Sequence, residues 1–118
     1  MKTGDTIEKP WGWERILDLN ERYCVKHLFV KNGHRLSLQY HERKRETMIL
    51  ISGGAELTMG ATAAALETFD MVAGQPYVIE PGTVHRLRGT AADGGLVLEV
   101  SSPEVEDLVR LEDDYGRG

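Results

Sequence analysis

Among the 118 residues there is one cysteine, Cys24, so the chain can close no internal disulfide and nothing bars a reducing compartment. Cys24 itself is expected to pack as a small apolar side chain. Long apolar runs are also missing. None comes near the roughly 20 residues that span a bilayer, and the amino-terminal stretch MKTGDTIEKPWGWE lacks the apolar segment of a secretory signal. These absences read as a soluble cytoplasmic protein with no membrane partner. A basic excess is lacking too: 19 acidic side chains stand against 14 basic ones, for a formal net charge of −5. Such a balance gains nothing from a polyphosphate backbone, so nucleic acid is not an expected partner. The local cluster Arg43-Lys44-Arg45 runs the other way and reads as a solvated loop. No repeat, linker or low-complexity tract divides the sequence, and residues 1–118 read as a single domain.

What is present is mostly short strand-like runs cut by turns. Trp13 to Leu19 and Arg22 to Lys31 lean to strand, and VKNGH carries a hairpin signal, Asn32-Gly33, able to supply positive φ. RLSLQYH and ETMILIS follow, the second with Met48, Ile49, Leu50 and Ile51 in a row that suggests burial on both faces. AELTMG and ALETFD form a predicted hairpin, against the helix propensity of ATAAALE. PYVIE, VHRLRG and GLVLEVSS complete the set. Helix signals are confined to SPEVEDLV, where Ser102 could cap and Pro103 open a turn. Many short strands and 13 glycines point to an all-β sandwich or barrel.

In RLSLQYH, Leu36, Leu38 and Tyr40 share one parity while Arg35, Ser37, Gln39 and His41 share the other. On a half-exposed sheet the polar parity is the wet face; in a closed barrel it lines a cavity. The residue types favour the cavity. Gln39 and His41, with Glu46 soon after, offer one nitrogen and two oxygen donors suited to a metal ion. A distant strand must then supply a further donor, and His85, just past the turn EPGT, is the best placed of the remaining histidines. His27 and His34 read as packing or surface groups.

The spacing Gly33-x5-Gln39-x-His41-x4-Glu46-x6-Gly53, followed by Gly74-x7-Gly82-x2-His85, resembles the two-part motif of the cupin superfamily. That resemblance implies a double-stranded β-helix, or jelly-roll barrel, here with a short carboxy-terminal helical or irregular tail. It implies a divalent metal, zinc first and manganese, iron, nickel or cobalt as alternatives, held by Gln39, His41, Glu46 and His85. Gln39 stands where most cupins have histidine, and Glu80 where a proline is usual, Pro81 being displaced by one. A homodimer is a further implication of the likeness to small cupins.

Nearly the whole chain is similar to a narrower group. KPWGWE, RLSLQYH, PGTVHRL, LEV and VRLEDDYGR resemble the cupin domain of type II mannose-6-phosphate isomerases, which in longer relatives follows a mannose-1-phosphate guanylyltransferase domain. Glutamine at position 39 is what that family carries. The segment HERKRETM departs from it, and Lys9 stands where the family has arginine. The implied reaction interconverts mannose 6-phosphate and fructose 6-phosphate, a small-molecule sugar phosphate being the partner. It needs a base, an electrophile and cations for the phosphate. Glu99, opposite in parity to Leu98 and Val100, is the candidate base, unless it faces water or holds a buried arginine. Arg117 is the second catalytic candidate, and Arg35, Lys26 and Tyr115 are candidate substrate contacts. Trp11 and Trp13 either stack on a sugar ring or close the core. The alternative is a non-catalytic metal-containing cupin that binds a sugar or another small molecule; a metal-dependent dioxygenase fits the glutamine poorly.

Overall fold

The computed structural model describes residues 1–117. Eleven strands follow one another among these residues: β1 (Thr6–Lys9), β2 (Gly12–Leu19), β3 (Cys24–Val30), β4 (Leu38–Tyr40), β5 (Glu46–Gly53), β6 (Ala55–Gly60), β7 (Glu67–Asp70), β8 (Pro76–Ile79), β9 (Val84–Gly89), β10 (Gly95–Ser101) and β11 (Val109–Glu112). They build a six-stranded sheet in the order β1-β2-β3-β10-β5-β8 and a five-stranded sheet in the order β11-β4-β9-β6-β7. All named pairings are antiparallel. The two sheets face each other as a jelly roll, the cupin barrel expected from the motif spacing.

Four local expectations need correction. Asn32-Gly33 does turn the chain, with Gly33 at φ +78° and His34 N–H donating to the Lys31 carbonyl at 3.0 Å. No hairpin forms there, because both edges of β3 are occupied by β2 and β10, so the turn carries the chain across to the opposite sheet. RLSLQYH pairs regularly only over Leu38–Tyr40, with a lone bridge from Arg35 to Arg88. ETMILIS is not buried on both faces: Met48 and Leu50 point into the core, while Ile51 is 47% exposed. SPEVEDLV forms no helix. Its residues make short turns, Val105 N–H to Pro103 carbonyl at 2.8 Å and Asp107 N–H to Glu104 carbonyl at 3.2 Å, then enter β11. The tail is therefore irregular and then extended.

The core lies between the sheets, where Leu28, Val30, Leu50, Leu57, Leu87 and Val97 are nearly inaccessible to water. Each such side chain contributes roughly 1.5–3 kcal/mol by leaving water. Cys24 is buried as expected. Inward rows of the six-stranded sheet change character along the barrel. Leu28, Val97 and Leu50 sit side by side in one row, and Lys26, Glu99 and Met48 in the next. Beyond them come Cys24, Ser101 and Glu46. One end of the interior is thus apolar and the other is charged, and the charged end is where the site lies. No helix among the described residues is long and apolar enough to cross a membrane.

Candidate metal centre and its cavity

Three donors converge at the charged end. His41 leaves the end of β4, Glu46 opens β5, and His85 is the second residue of β9, and their ligand atoms all lie within 4.8 Å of one another. His85 Nε2 is 2.9 Å and His41 Nε2 3.6 Å from Glu46 Oε1. Each imidazole has its other nitrogen engaged behind it: His41 Nδ1 lies 2.5 Å from the Asp107 carbonyl, and His85 Nδ1 2.9 Å from the Thr83 carbonyl. A carbonyl only accepts, so both Nδ1 atoms carry protons, and each ring turns its Nε2 toward Glu46.

That arrangement suits a cation. His41 Nε2, His85 Nε2 and both Glu46 oxygens are buried without a hydrogen-bond partner, and two imidazole nitrogens and a carboxylate facing one another are held together by a proton or metal ion between them. The donor set of two nitrogens and a carboxylate suits a borderline transition ion such as zinc. Carbonyls behind ligating histidines are the usual means of fixing ring and tautomer. Gln39 pairs in register with His85 on the neighbouring strand, and its Oε1 accepts from Ser37 Oγ at 2.7 Å. It lies on the wall of the same cavity.

The cavity holds about 110 Å³ and is lined by Trp11, Glu14, Lys26, Gln39, His41, Lys44, Glu99, Arg110 and Arg117, among others. Behind the three donors runs a buried chain of alternating charge. Lys44 Nζ lies 3.2 Å from Glu46 and 3.7 Å from Glu99, and Lys26 Nζ 3.5 Å from Glu99 and 3.6 Å from Glu14. Burial alone would push the Glu46 carboxyl up, but the adjacent His41, His85 and Glu99 side chains, together with the Lys44 ammonium, outweigh it and hold it well below the usual carboxylate range. Glu99 goes the other way: burial first, then the adjacent Glu46 carboxylate, raise it against the pull of Lys44 and Lys26. Burial would lower Lys44, yet Glu99 and Glu46 keep it charged.

The structure places Gln39, His41, Glu99, Lys26 and Arg117 on the wall of this cavity and groups Glu46 and His85 with His41. Arg35 is not among them. Its side chain is 36% exposed and gripped by Asp114, Nε to Oδ2 at 2.6 Å and a second nitrogen to Oδ1 at 2.8 Å. Tyr115 also stands back, its hydroxyl 2.8 Å from His34 Nδ1 and its ring under the Arg117 guanidinium, 5.6 Å from the centroid. Trp11 is in the core and on the cavity wall, whereas Trp13 stacks on Phe29. The sequence reading missed Lys44, which is 4% exposed and not part of a solvated loop. Its parity with Glu46, two residues on, was the available signal. Arg110, Glu14 and Asp107 were missed as well.

Arg117 is docked by Asp113, which accepts from its backbone N–H at 2.6 Å and from its guanidinium at 2.9 and 3.0 Å. The guanidinium beside it brings the Asp113 carboxyl down to about 2. A depressed folded-state value means a contribution to stability that is complete above the unfolded value near 3.8 and is lost as pH falls through about 2. The melting-temperature gap between the parent and Asp113→Asn is therefore expected at pH 5 and should close toward pH 2; a gap that persists at pH 2 contradicts this account.

A family model described as mannose-6-phosphate isomerase C-terminal matches residues 1–113. Among curated proteins, the alginate biosynthesis protein AlgA of Pseudomonas aeruginosa is 37% identical over 114 residues, covering 94% of this chain and 23% of its own length. The xanthan biosynthesis protein XanB of Xanthomonas campestris is 36% identical over the same shares. The mannose-1-phosphate guanylyltransferase ManC of Salmonella typhimurium is 32% identical, again over 94% of this chain and 23% of the relative. The chain thus spans about a quarter of the length of these relatives. Among solved structures, KdgF from Halomonas sp. aligns with TM-score 0.74 at 19% identity, over 87% of this chain and 91% of that one. An oxalate decarboxylase from Bacillus subtilis aligns with TM-score 0.78 at 17% identity, over 92% of this chain and 30% of that one. Both likenesses speak to the fold.

Proposed function

The chain belongs to the mannose-6-phosphate isomerase C-terminal family, and from that premise we propose that it is a metal-dependent isomerase of a sugar phosphate, of the mannose 6-phosphate and fructose 6-phosphate class. The observation that carries the reading is the placement of a buried carboxyl, Glu99, on the same cavity as His41, Gln39 and the cations Arg110 and Arg117, with Glu46 and His85 clustered against His41.

His41, Glu46 and His85, with Gln39 as a weaker oxygen donor, would hold the ion. A bound divalent cation supplies Lewis-acid polarisation of the substrate oxygens. The remaining work falls to the chain. Glu99, poised toward neutrality, takes the proton from C2 of the aldose and returns it at C1, and the reverse direction retraces the same path. Lys44 and Lys26 flank it and stabilise its ionised form. Arg110 and Arg117 at the cavity wall supply the positive charge for the phosphate, Arg117 through the guanidinium hydrogens that Asp113 leaves free. The charge count fits this division. Glu14, Glu46 and Glu99 against Lys26 and Lys44 leave one negative charge when all are ionised, so a divalent ion makes the interior positive and ready for a phosphate ester.

One observation favours a non-catalytic sugar binder instead. Both lysines lie within 3.7 Å of Glu99, so the carboxylate could serve only as their counter-ion. Metal analysis of the purified protein, followed by solvent-proton exchange at C1 and C2 with mannose 6-phosphate and fructose 6-phosphate, separates the two. Metal with exchange is the expected result. Metal without exchange moves the assignment to the binder or to a different sugar, and no metal at all removes both readings.

A further inference from the structure

The loop that links His41 to Glu46 is held mainly by the carboxy-terminal strap. Asp107 accepts three successive backbone N–H groups from that loop: Glu42 at 3.0 Å on Oδ1, and Arg43 at 2.7 Å and Lys44 at 2.9 Å on Oδ2. Consecutive amides turned to one point make a concave anion seat, here filled by a side chain of the protein itself. The same residue's carbonyl takes the His41 Nδ1 proton. At the loop's other end, Ser102 Oγ accepts from Arg45 N–H at 3.0 Å, and Ser102 N–H donates to the Arg45 carbonyl at 3.0 Å. Residues 102–107 therefore bracket residues 41–46 at both ends.

We infer that Asp107 is a positioning residue for the metal centre: its carboxylate sets the path of the loop that delivers Lys44 and Glu46, while its carbonyl sets the tautomer and direction of His41. The inference rests on the metal reading above and adds a residue that touches neither the ion nor the substrate. Loop amides have no intrinsic reason to converge. Three N–H groups in a row repel one another unless an anion draws them together, so removing the carboxylate relaxes the loop and carries Glu46 out of line with His85. The substitution Asp107→Ala keeps the backbone carbonyl and with it the His41 contact, which makes it a test of the loop path alone. Asp107→Asn is milder, since the new side chain retains one acceptor oxygen but presents an amide –NH2 to N–H groups that need an acceptor.

Cobalt(II) is the probe, because its visible absorption reports coordination geometry independently of activity. Metal-free wild type, Asp107→Ala, Asp107→Asn and the strap control Asp114→Ala are titrated with Co(II). Asp107→Ala is expected to bind 10- to 100-fold more weakly with altered absorption bands, Asp107→Asn to fall between it and wild type, and Asp114→Ala to match wild type in both. Asp107→Asn keeps the test decisive should the alanine variant not fold. A wild type that binds Co(II) while Asp107→Asn or Asp107→Ala shows the same affinity and spectrum overturns the role of Asp107 alone. A wild type that binds no Co(II) overturns the metal centre and this inference with it.

Discussion

His85→Ala is expected to emerge from purification with less than about one-tenth of the parent's metal, and His41→Ala likewise, while both keep the far-ultraviolet signature of the barrel. The reasoning is about what replaces each ring. His85 is 1% exposed and its Nε2 is the nitrogen nearest Glu46, and an alanine there leaves one imidazole, one carboxylate and an amide. Such a set no longer offers the nitrogen-rich tetrahedron that holds zinc. The ion also binds the folded state only, so it adds stability that grows with its concentration, about 2.7 kcal/mol at a hundred times the dissociation constant. Melting curves with and without metal should then separate for the parent and coincide for either variant. Neither strand needs its histidine to form: β9 is registered against β6 over six residues, from Ala55–Gly89 to Gly60–Val84. Stoichiometric metal in both variants would rule out the centre.

The all-β class could be read from short strand-like runs cut by glycine-containing turns, and β3 shows why the runs stay strands: Cys24, Lys26, Leu28 and Val30 are all buried, against the half-buried Val25, His27 and Phe29. Where a local signal misled, tertiary pairing had overruled it. Asn32-Gly33 carries a hairpin's chemistry, but β3 has no free edge, and SPEVEDLV carries a helix cap that loses to a strap on which Asp107 serves another segment's amides. The grouping of His41, Glu46 and His85 was legible because these residue types are few in the chain and match the spacing of the cupin motif. Arg35 was misplaced because β4 begins only at Leu38, so parity counted from residue 35 does not extend a single strand. Lys44 was overlooked for the opposite reason: a lysine between two arginines reads as solvated, its parity with Glu46 was the one local hint, and the fold shows a burial that Glu46 and Glu99 neutralise. Contacts that join the tail to the loop, as Asp107 does across more than sixty residues, leave no local trace at all.

Glu99→Gln should lower proton exchange between C1 and C2 by roughly 10²- to 10⁴-fold, the range a positioned acid–base group supplies, with metal content unchanged. Glutamine keeps the shape and a carbonyl oxygen near Lys26 and Lys44 but cannot carry the proton. A counter-ion role predicts a different pattern, since two buried ammonium groups losing their shared carboxylate would lower the melting temperature and leave any remaining activity with its original pH profile. The profile is therefore the discriminating readout. Burial and the Glu46 carboxylate raise Glu99 above the ordinary value of 4.5, and a base works only once deprotonated, so kcat/KM of the parent should climb with pH through that raised value. In Glu99→Gln the residual rate should lose this acidic limb. Glu99→Asp, which retains the carboxylate one methylene further back, should recover the limb with part of the rate. Exchange at parental speed in Glu99→Gln, or an acidic limb that survives the substitution, would take the proton transfer away from Glu99.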